Sequence, residues 1–465
     1  MTPRVHRRLA LVASITGAAL VALDGTVLTV ARPVLQHDLH ASVAAVQWAG
    51  TGYLVTVAAL LVFAGRLGDR YGHRQIFALG VAGFAASSAG IALAPDIGWV
   101  IALRAVQGVA GALLQPATLG MLRATWPAER LAGAIAVRTA AIGLAAAAGP
   151  LVGGALTAHF GWRSVFLLGL LPAAAALLAA LAVPAPPAEP AVRPGPEQLR
   201  AGLDLPGAAL LGLALACLVQ TLVAVPDADG PAGPAFGLAV AALLALALAR
   251  HERRTDRPLL PPALLRSPTV ALPLGVLLAA SAALQGVLFP ATYYLQDVLR
   301  LDPWQSAVRA APLAVAMILT AAASARLARR HGERTTVLLG MALLTSGALL
   351  TARLGPGSGG VAIGACFLLL GAGFGPVMAT ATALVVRGAP AAEAGIASGL
   401  QQTALNVGPA LGIALATTTA GRAEPGAALA PTALAMAAVA AAGTLPALRL
   451  PDRHSGRRRE PVTPR

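Results

Sequence analysis

Polar residues in this chain fall in short segments, and between them run long stretches that are almost wholly apolar. A run of 18 to 25 apolar residues is enough to cross roughly 30 Å of hydrocarbon as a helix. Backbone N–H and C=O groups in lipid must find partners within their own segment, so these runs read as helices and not as isolated strands. The pattern predicts spans at 9–31, 45–65, 75–94, 97–122, 131–158, 164–184, 206–226, 232–249, 269–293, 306–328, 334–354, 360–386, 393–420 and 429–449, fourteen in all. The run at 232–249 is the weakest of them.

Composition agrees with an all-α integral membrane protein: 57% of the 465 residues are hydrophobic and 11% charged, where soluble domains carry about 25% charged residues. The net charge of +15 does not indicate nucleic acid, because every basic residue is Arg and nearly all lie in the short segments between apolar runs. That distribution reports sidedness. With both termini in the cytoplasm, 26 of the 34 arginines fall on that side, 5 outside (Arg32, Arg163, Arg300, Arg353, Arg422) and 3 within spans (Arg104, Arg138, Arg309). Losing a single span would put one Arg-rich terminus outside, which favours an even count. The start "MTPRVHRR" has the charge of a signal peptide, but the run from Leu9 to Ala31 is too long for a signal core and holds Asp24, so it reads as an uncleaved first span in a plasma (inner) membrane. Cys217 and Cys366 stand far apart in apolar runs, without metal or redox spacing.

Positions 260 apart repeat: Leu35-Gln36 with Leu295-Gln296, Arg70 with Arg330, Gly72 with Gly332, Arg74 with Arg334, Gly80 with Gly340, Gly111 with Gly371 and Pro116 with Pro376. "GPLVGG" at Gly149 to Gly154 is echoed by "GPALG" at Gly408 to Gly412. Gly, Pro, Gln and Arg matches in one register mark two homologous halves, each six spans long and starting on the same side. Parallel repeats of this kind build transporters that bind substrate between the halves. The expected organisation is a first bundle at 1–185, a linker with two extra central spans at 186–268, a second bundle at 269–450 and an Arg-rich cytoplasmic tail at 451–465. The Pro- and Arg-rich stretches around spans 7 and 8 read as cytoplasmic linkers.

"GRLGDRYGHR", Gly65 to Arg74, joins spans 2 and 3 and recurs more weakly as "ARLARRHGER" at Ala325 to Arg334. A phosphate-binding loop would need a preceding strand, a Lys and a following Ser or Thr, all absent here. With Gly65, Asp69, Arg70, Gly72 and Arg74, the segment resembles the signature of the major facilitator superfamily, with His73 where a basic residue is usual. "LDGTVLTVARP" in span 1 resembles the acidic first-span motif of the fourteen-span drug/proton antiporters, departing from it at Thr29 and Arg32. "RAVQGVAGALLQP" in span 4 and "AAAAGPLVGG" in span 5 are similar to two further motifs of that branch, the first with Ala110 and the second with Ala145 where glycine is common. The resemblance implies two six-helix bundles with two extra central spans, export of small molecules against protons, and no resident cofactor. Asp69 at a helix end suits a conformational latch, with Arg130 as a partner; a positively charged topological anchor is the other reading.

Asp24 is the one acidic residue well inside a span. A carboxylate near the bilayer centre costs about 2.5–3.5 kcal/mol on insertion scales, and a group able to take up and release a proton justifies that cost. Counted from the outer helix ends, Asp24 and Arg104 sit at matching depth, about 10 Å in at 1.5 Å per residue. A pair between them is expected, with protonation or a cationic substrate competing for the carboxylate; a static ion pair is the alternative. The resemblance also associates these two positions with coupling. Arg138 lacks an acidic partner in the sequence and faces either the cavity or the interface, while Arg309 snorkels at the start of span 10. Gly149, Pro150, Gly153 and Gly154 let span 5 kink and approach span 10 as a seam between the halves.

Gln107, Gln115, Arg138, Gln285, Gln402 and Asn406 are the candidates for lining the substrate cavity, and Gln402 and Asn406 share a helix face. Neither a catalytic cluster nor a metal set is visible, which argues against a membrane enzyme, and a lone buried acid in a two-half repeat suits alternating access better than a passive pore. The expected function is a proton-coupled exporter of drug-like or secondary-metabolite molecules, working in the lipid bilayer as a monomer. Proton-coupled metabolite uptake on the same fold is the alternative.

Overall fold

The computed structural model describes residues 3–182, 204–225, 230, 232–255, 258, 262–389, 394–421 and 428–450. The 451–465 tail, most of the first linker, and the side chains of Asp69 and of residues 128–133 lie outside the described residues. Spans 1 to 5 are the helices Pro3–Asp38, Val43–Tyr71, His73–Ala92, Ile97–Thr125 and Ala128–Phe160; span 6 is Arg163–Leu167 followed by Leu170–Ala182. Spans 7 and 8 are Leu205–Ala224 and Ala232–Arg254. Spans 9 to 14 are Pro268–Tyr293 with a π turn at Tyr294–Val298, Pro303–His331, Glu333–Thr351, Gly360–Gly388, Ala394–Ala420, and Leu429–Ala442 with Thr444–Leu448. Thirteen of these stretches are long and apolar enough to cross a membrane. Ala394–Ala420 is as long, at 27 residues, but Gln401, Gln402, Asn406 and three successive threonines lower its hydropathy.

Side-chain caps start several spans. Asp96 accepts from Gly98 and Trp99 at 2.8 and 3.1 Å to open span 4, and Asp302 with Gln305 forms a capping box at span 10. Between spans 2 and 3 the chain turns at Gly72, with φ of 93°, and between spans 10 and 11 at Gly332, with φ of 89°. Only glycine takes that backbone without strain, so the 260-residue repeat reappears as one turn built twice.

In each half, the spans pack through glycine. A Cβ at Gly149 would stand 1.9 Å from Thr26 Oγ1 and one at Gly153 2.8 Å from the Val27 carbonyl, both in span 1. In the second half, a Cβ at Gly408 would stand 2.1 Å from Ser281 Oγ and one at Gly412 2.0 Å from the Ala282 carbonyl, both in span 9. Each pair is a G-x-x-x-G that lets two backbones close. The "GPLVGG" and "GPALG" segments thus do the same work, docking spans 5 and 13 on the first helix of their own halves. Large apolar side chains left outside, such as Leu171, Phe236 and Val361, meet lipid without cost because the surrounding medium is as apolar as they are.

One core joins Leu20, Tyr53, Phe77, Phe84 and Leu114 with the alanines of span 6, and a second joins Val276, Leu284, Met341, Leu370 and Met436 of spans 9 to 14. Between the halves, span 5 packs on span 10 and span 2 on span 13. Span 7 lies in the groove beside spans 2 and 13, where Val219 and Val223 meet Val55, Ala410 and Ala414, and Trp48 Nε1 donates to Gln220 at 2.7 Å. Span 8 packs on span 7. On the distal face, opposite the Gly72 turn, the halves are fastened: Gln296 Nε2 to the Val30 carbonyl at 2.8 Å, His37 to Asp297 at 3.3 Å, and Thr417 to Gln47.

Candidate functional site: a buried ion pair and an unpaired arginine

Asp24 and Arg104 meet as the sequence predicts. Arg104 Nη1 donates to Asp24 Oδ2 at 2.7 Å, with the two side chains 2% and 11% exposed. The guanidinium also donates through Nε to the Ala49 carbonyl of span 2 at 2.9 Å and through Nη1 to Gln107 Oε1 at 2.6 Å, and it lies 4.5 Å from the Tyr53 ring centroid. Gln107 Nε2 in turn donates to Ser88 at 2.7 Å and to Asp24 Oδ1 at 3.3 Å. Spans 1 to 4 are therefore tied at one point. A narrow pocket lined by Leu20, Leu23, Val27, Phe84, Ser88 and Phe166 reaches the carboxylate from between spans 1, 3 and 6. Such a pair is stable only while both charges stay matched, since removing either one leaves the other buried alone.

Gln107 is thus a ligand of the ion pair and not a cavity wall: a helix places Arg104 and Gln107 on one face at i, i+3, and span 3 covers the amide. Asn406 turns its amide back to the Gln402 carbonyl of its own helix at 2.8 Å, while Gln402 is half-buried, as are Gln115 and Gln285. Arg138 is held by Thr118 Oγ1 at 3.1 and 2.7 Å, and the Thr118 carbonyl accepts from Ser14 at 2.9 Å, so spans 1, 4 and 5 are joined there.

The seam expected of Gly149, Pro150, Gly153 and Gly154 is smaller than the sequence suggested. Of the three glycines, Gly154 is the one that faces the other half, where a Cβ would stand 2.6 Å from the Pro303 carbonyl and from Ala307 Cβ. Gly149 and Gly153 point to span 1 instead, because successive helix positions differ by about 100° and a single face cannot hold all three.

In the Gly65–Arg74 segment, Arg74 donates to the Ala180 and Leu181 carbonyls, both at 3.0 Å, closing the free end of span 6. Gly65 lies against Pro116, and the His73 ring fills space that Gly68 and Gly120 leave open. Arg70 stacks on Tyr71 at 5.3 Å. Asp69 and Arg130, the proposed latch pair, fall on side chains outside those described.

Arg32 departs most from expectation. Span 1 does not end at residue 31 but runs through Pro33 to Asp38, so an arginine assigned to an outer loop is a helix residue only 5% exposed. Its signal in the sequence is a charge at a position where the first-span motif has an apolar residue. The seven extra residues of helix leave no such signal, because Pro33 reads as a terminator.

A family model described as Major Facilitator Superfamily matches residues 15–413. The tetracenomycin C resistance and export protein of Streptomyces glaucescens is 40% identical over 408 residues, 87% of this chain and 74% of that protein. The puromycin resistance protein pur8 of Streptomyces alboniger is 35% identical over 430 residues, 90% and 82% of the two chains. Among solved structures, the nucleoside transporter NupG (D323A mutant) superposes with a TM-score of 0.63 at 13% identity, covering 95% of this chain and 99% of that one, which shows a shared fold. With its all-helical halves and paired repeats, this chain is a multi-pass membrane transport protein, not an enzyme, and it belongs to the Major Facilitator Superfamily.

Proposed function

We propose that the protein is a proton-coupled exporter that carries drug-like or secondary-metabolite molecules across the plasma membrane by alternating access, with both termini in the cytoplasm and one chain as the working unit. The buried Asp24–Arg104 pair carries this reading. The full charge complement of that pair persists only while Asp24 is ionised; a proton reaching the carboxylate through the narrow pocket releases Arg104, and with it the tie among spans 1 to 4. Binding energy that differs between two conformers is what moves an equilibrium between them. The membrane potential supplies about 2.3 kcal/mol per charge per 100 mV, to which the pH gradient adds. Two relatives that are named for antibiotic resistance, one of them also for export, support the outward direction.

The distal fastening at Gln296, His37 and Gln47 would be the closed outer gate, with the glycine-rich segment at Gly65, Asp69, Arg70, Gly72 and Arg74 latching the opposite conformer. Gln115, Arg138, Gln285 and Gln402 are the polar groups in reach of a substrate between the halves. Inverted vesicles, a compound panel and an imposed pH gradient test the proposal. Saturable accumulation that requires the gradient and disappears in Asp24→Asn is the expected result; accumulation in the opposite direction would mean uptake, and gradient-independent equilibration would mean a pore.

A further inference from the structure

Arg32 lies eight residues beyond Asp24, about 12 Å along span 1. Its guanidinium sits 5.7 Å from the Phe289 ring centroid in span 9, and Nη2 stands 2.9 Å from where a Cβ on Gly50 of span 2 would be. The cation is therefore held at the line between the two halves, just proximal to the Gln296–Val30 fastening. It is 5% exposed, and its Nε is buried with no hydrogen-bond partner. Among the described residues no carboxylate pairs with it. Tyr293 packs edge-on to Phe289 at 5.4 Å, and both rings, no more than 2% exposed, join Ile413, Ala416 and Val43 in one buried apolar cluster.

A buried guanidinium without a counter-charge is costly. The aromatic face offsets part of that cost, but a fork of five N–H donors still asks for an acceptor, and its planar geometry matches a carboxylate in two parallel bonds. We propose that Arg32 forms an anionic subsite of the transport cleft, which takes the carboxylate of a planar aromatic substrate whose rings lie against Phe289 and Tyr293. The inference rests on the export reading above and names a substrate class for it. Arg32 stands where the resembling motif has an apolar residue, so the preference belongs to this chain.

Equilibrium binding to the purified protein in lipid nanodiscs tests the subsite, with anthraquinone-2-carboxylate and its uncharged methyl ester as probes. The wild type should bind the acid at least tenfold more tightly than the ester. Arg32→Leu should remove that difference, and Arg32→Lys should keep only part of it, since a point charge lacks the fork. Equal binding of acid and ester by the wild type overturns the proposal without any variant, as does failure of both probes to bind, and as does an acid preference that survives in Arg32→Leu or, where that variant does not fold, in Arg32→Gln. Gradient-driven transport across a panel of neutral and anionic compounds is a separate readout: its absence for every compound would sink the export reading whatever the nanodiscs show, and its presence beside equal probe binding would sink the subsite alone.

Discussion

Gln296 of span 9 donates to the main-chain carbonyl of Val30 in span 1 at 2.8 Å, across the line between the two halves. Its repeat equivalent Gln36 is in a different state, with its acceptor Oε1 buried and without a partner among the described residues. The twofold repeat is thus broken at this pair of positions, and Gln296 supplies one of the three contacts that close the distal face. A buried neutral hydrogen bond contributes about 1 kcal/mol, so Gln296→Leu should shift the population toward the distal-open form by about fivefold. Spin labels on the loops after spans 1 and 9 should report a larger fraction of long distances; an unchanged distribution removes Gln296 from the gate.

The glycines of span 5 separate by function. Gly153→Ala forces a methyl against the Val27 carbonyl, and Gly412→Ala does the same to the Ala282 carbonyl in the second half. Overpacking of this kind costs about 1–3 kcal/mol, so both variants should lower the melting temperature in detergent. Gly154→Ala presses instead on Pro303 and Ala307 of the other half. That variant should leave each bundle's stability near the wild-type value and disfavour the distal-closed conformer, slowing transport. Equal thermal loss in all three variants would contradict the division.

Asp24 and Arg104 make a further separation possible. Asp24→Asn leaves the 2%-exposed Arg104 without its counter-charge, which should destabilise the protein by about 3–5 kcal/mol. Removing both charges in Asp24→Asn/Arg104→Gln should restore much of that stability, because no lone charge remains. Gradient-driven transport should stay lost in both variants if the carboxylate is the proton carrier. A double variant that recovers both stability and coupling would reduce the pair to a structural tie.

Much of this was legible from residue spacing. The 260-residue offset located Gly72 and Gly332 as equivalent turns, and depth counting paired Asp24 with Arg104 even though span 1 runs seven residues past the end from which the depth is counted. Spacing gave less where a helix's rotation or length decides the outcome. Gly149, Gly153 and Gly154 form one cluster in sequence, yet they serve two interfaces, since neighbouring helix residues face different ways. Hydropathy ends span 1 at the charge of Arg32 and the following proline, whereas the apolar packing around Leu35 keeps the span helical to Asp38. Gln107 reads from sequence as a cavity residue because an amide's partner on another helix leaves no mark in the linear sequence.

His73 illustrates how a departure from a family pattern can be compensated locally. Its ring occupies the volume above Gly68 in span 2 and Gly120 in span 4, where added Cβ atoms would stand 2.4 and 2.2 Å from ring atoms. Gly120→Ala should therefore destabilise the first half by about 1–3 kcal/mol through overpacking, and pairing it with His73→Ala should recover most of the loss by removing the obstructing ring. The Gly72 turn is independent of this packing, because its φ of 93° depends on having no Cβ at all; Gly72→Ala should destabilise the protein equally with either residue at position 73. Thermal melts of the three single and two double variants in lipid nanodiscs give the comparison. Non-additivity at 73 and 120, beside additivity at 73 and 72, is the expected outcome, and the reverse would show that the histidine shapes the turn and not the contact between spans 2 and 4.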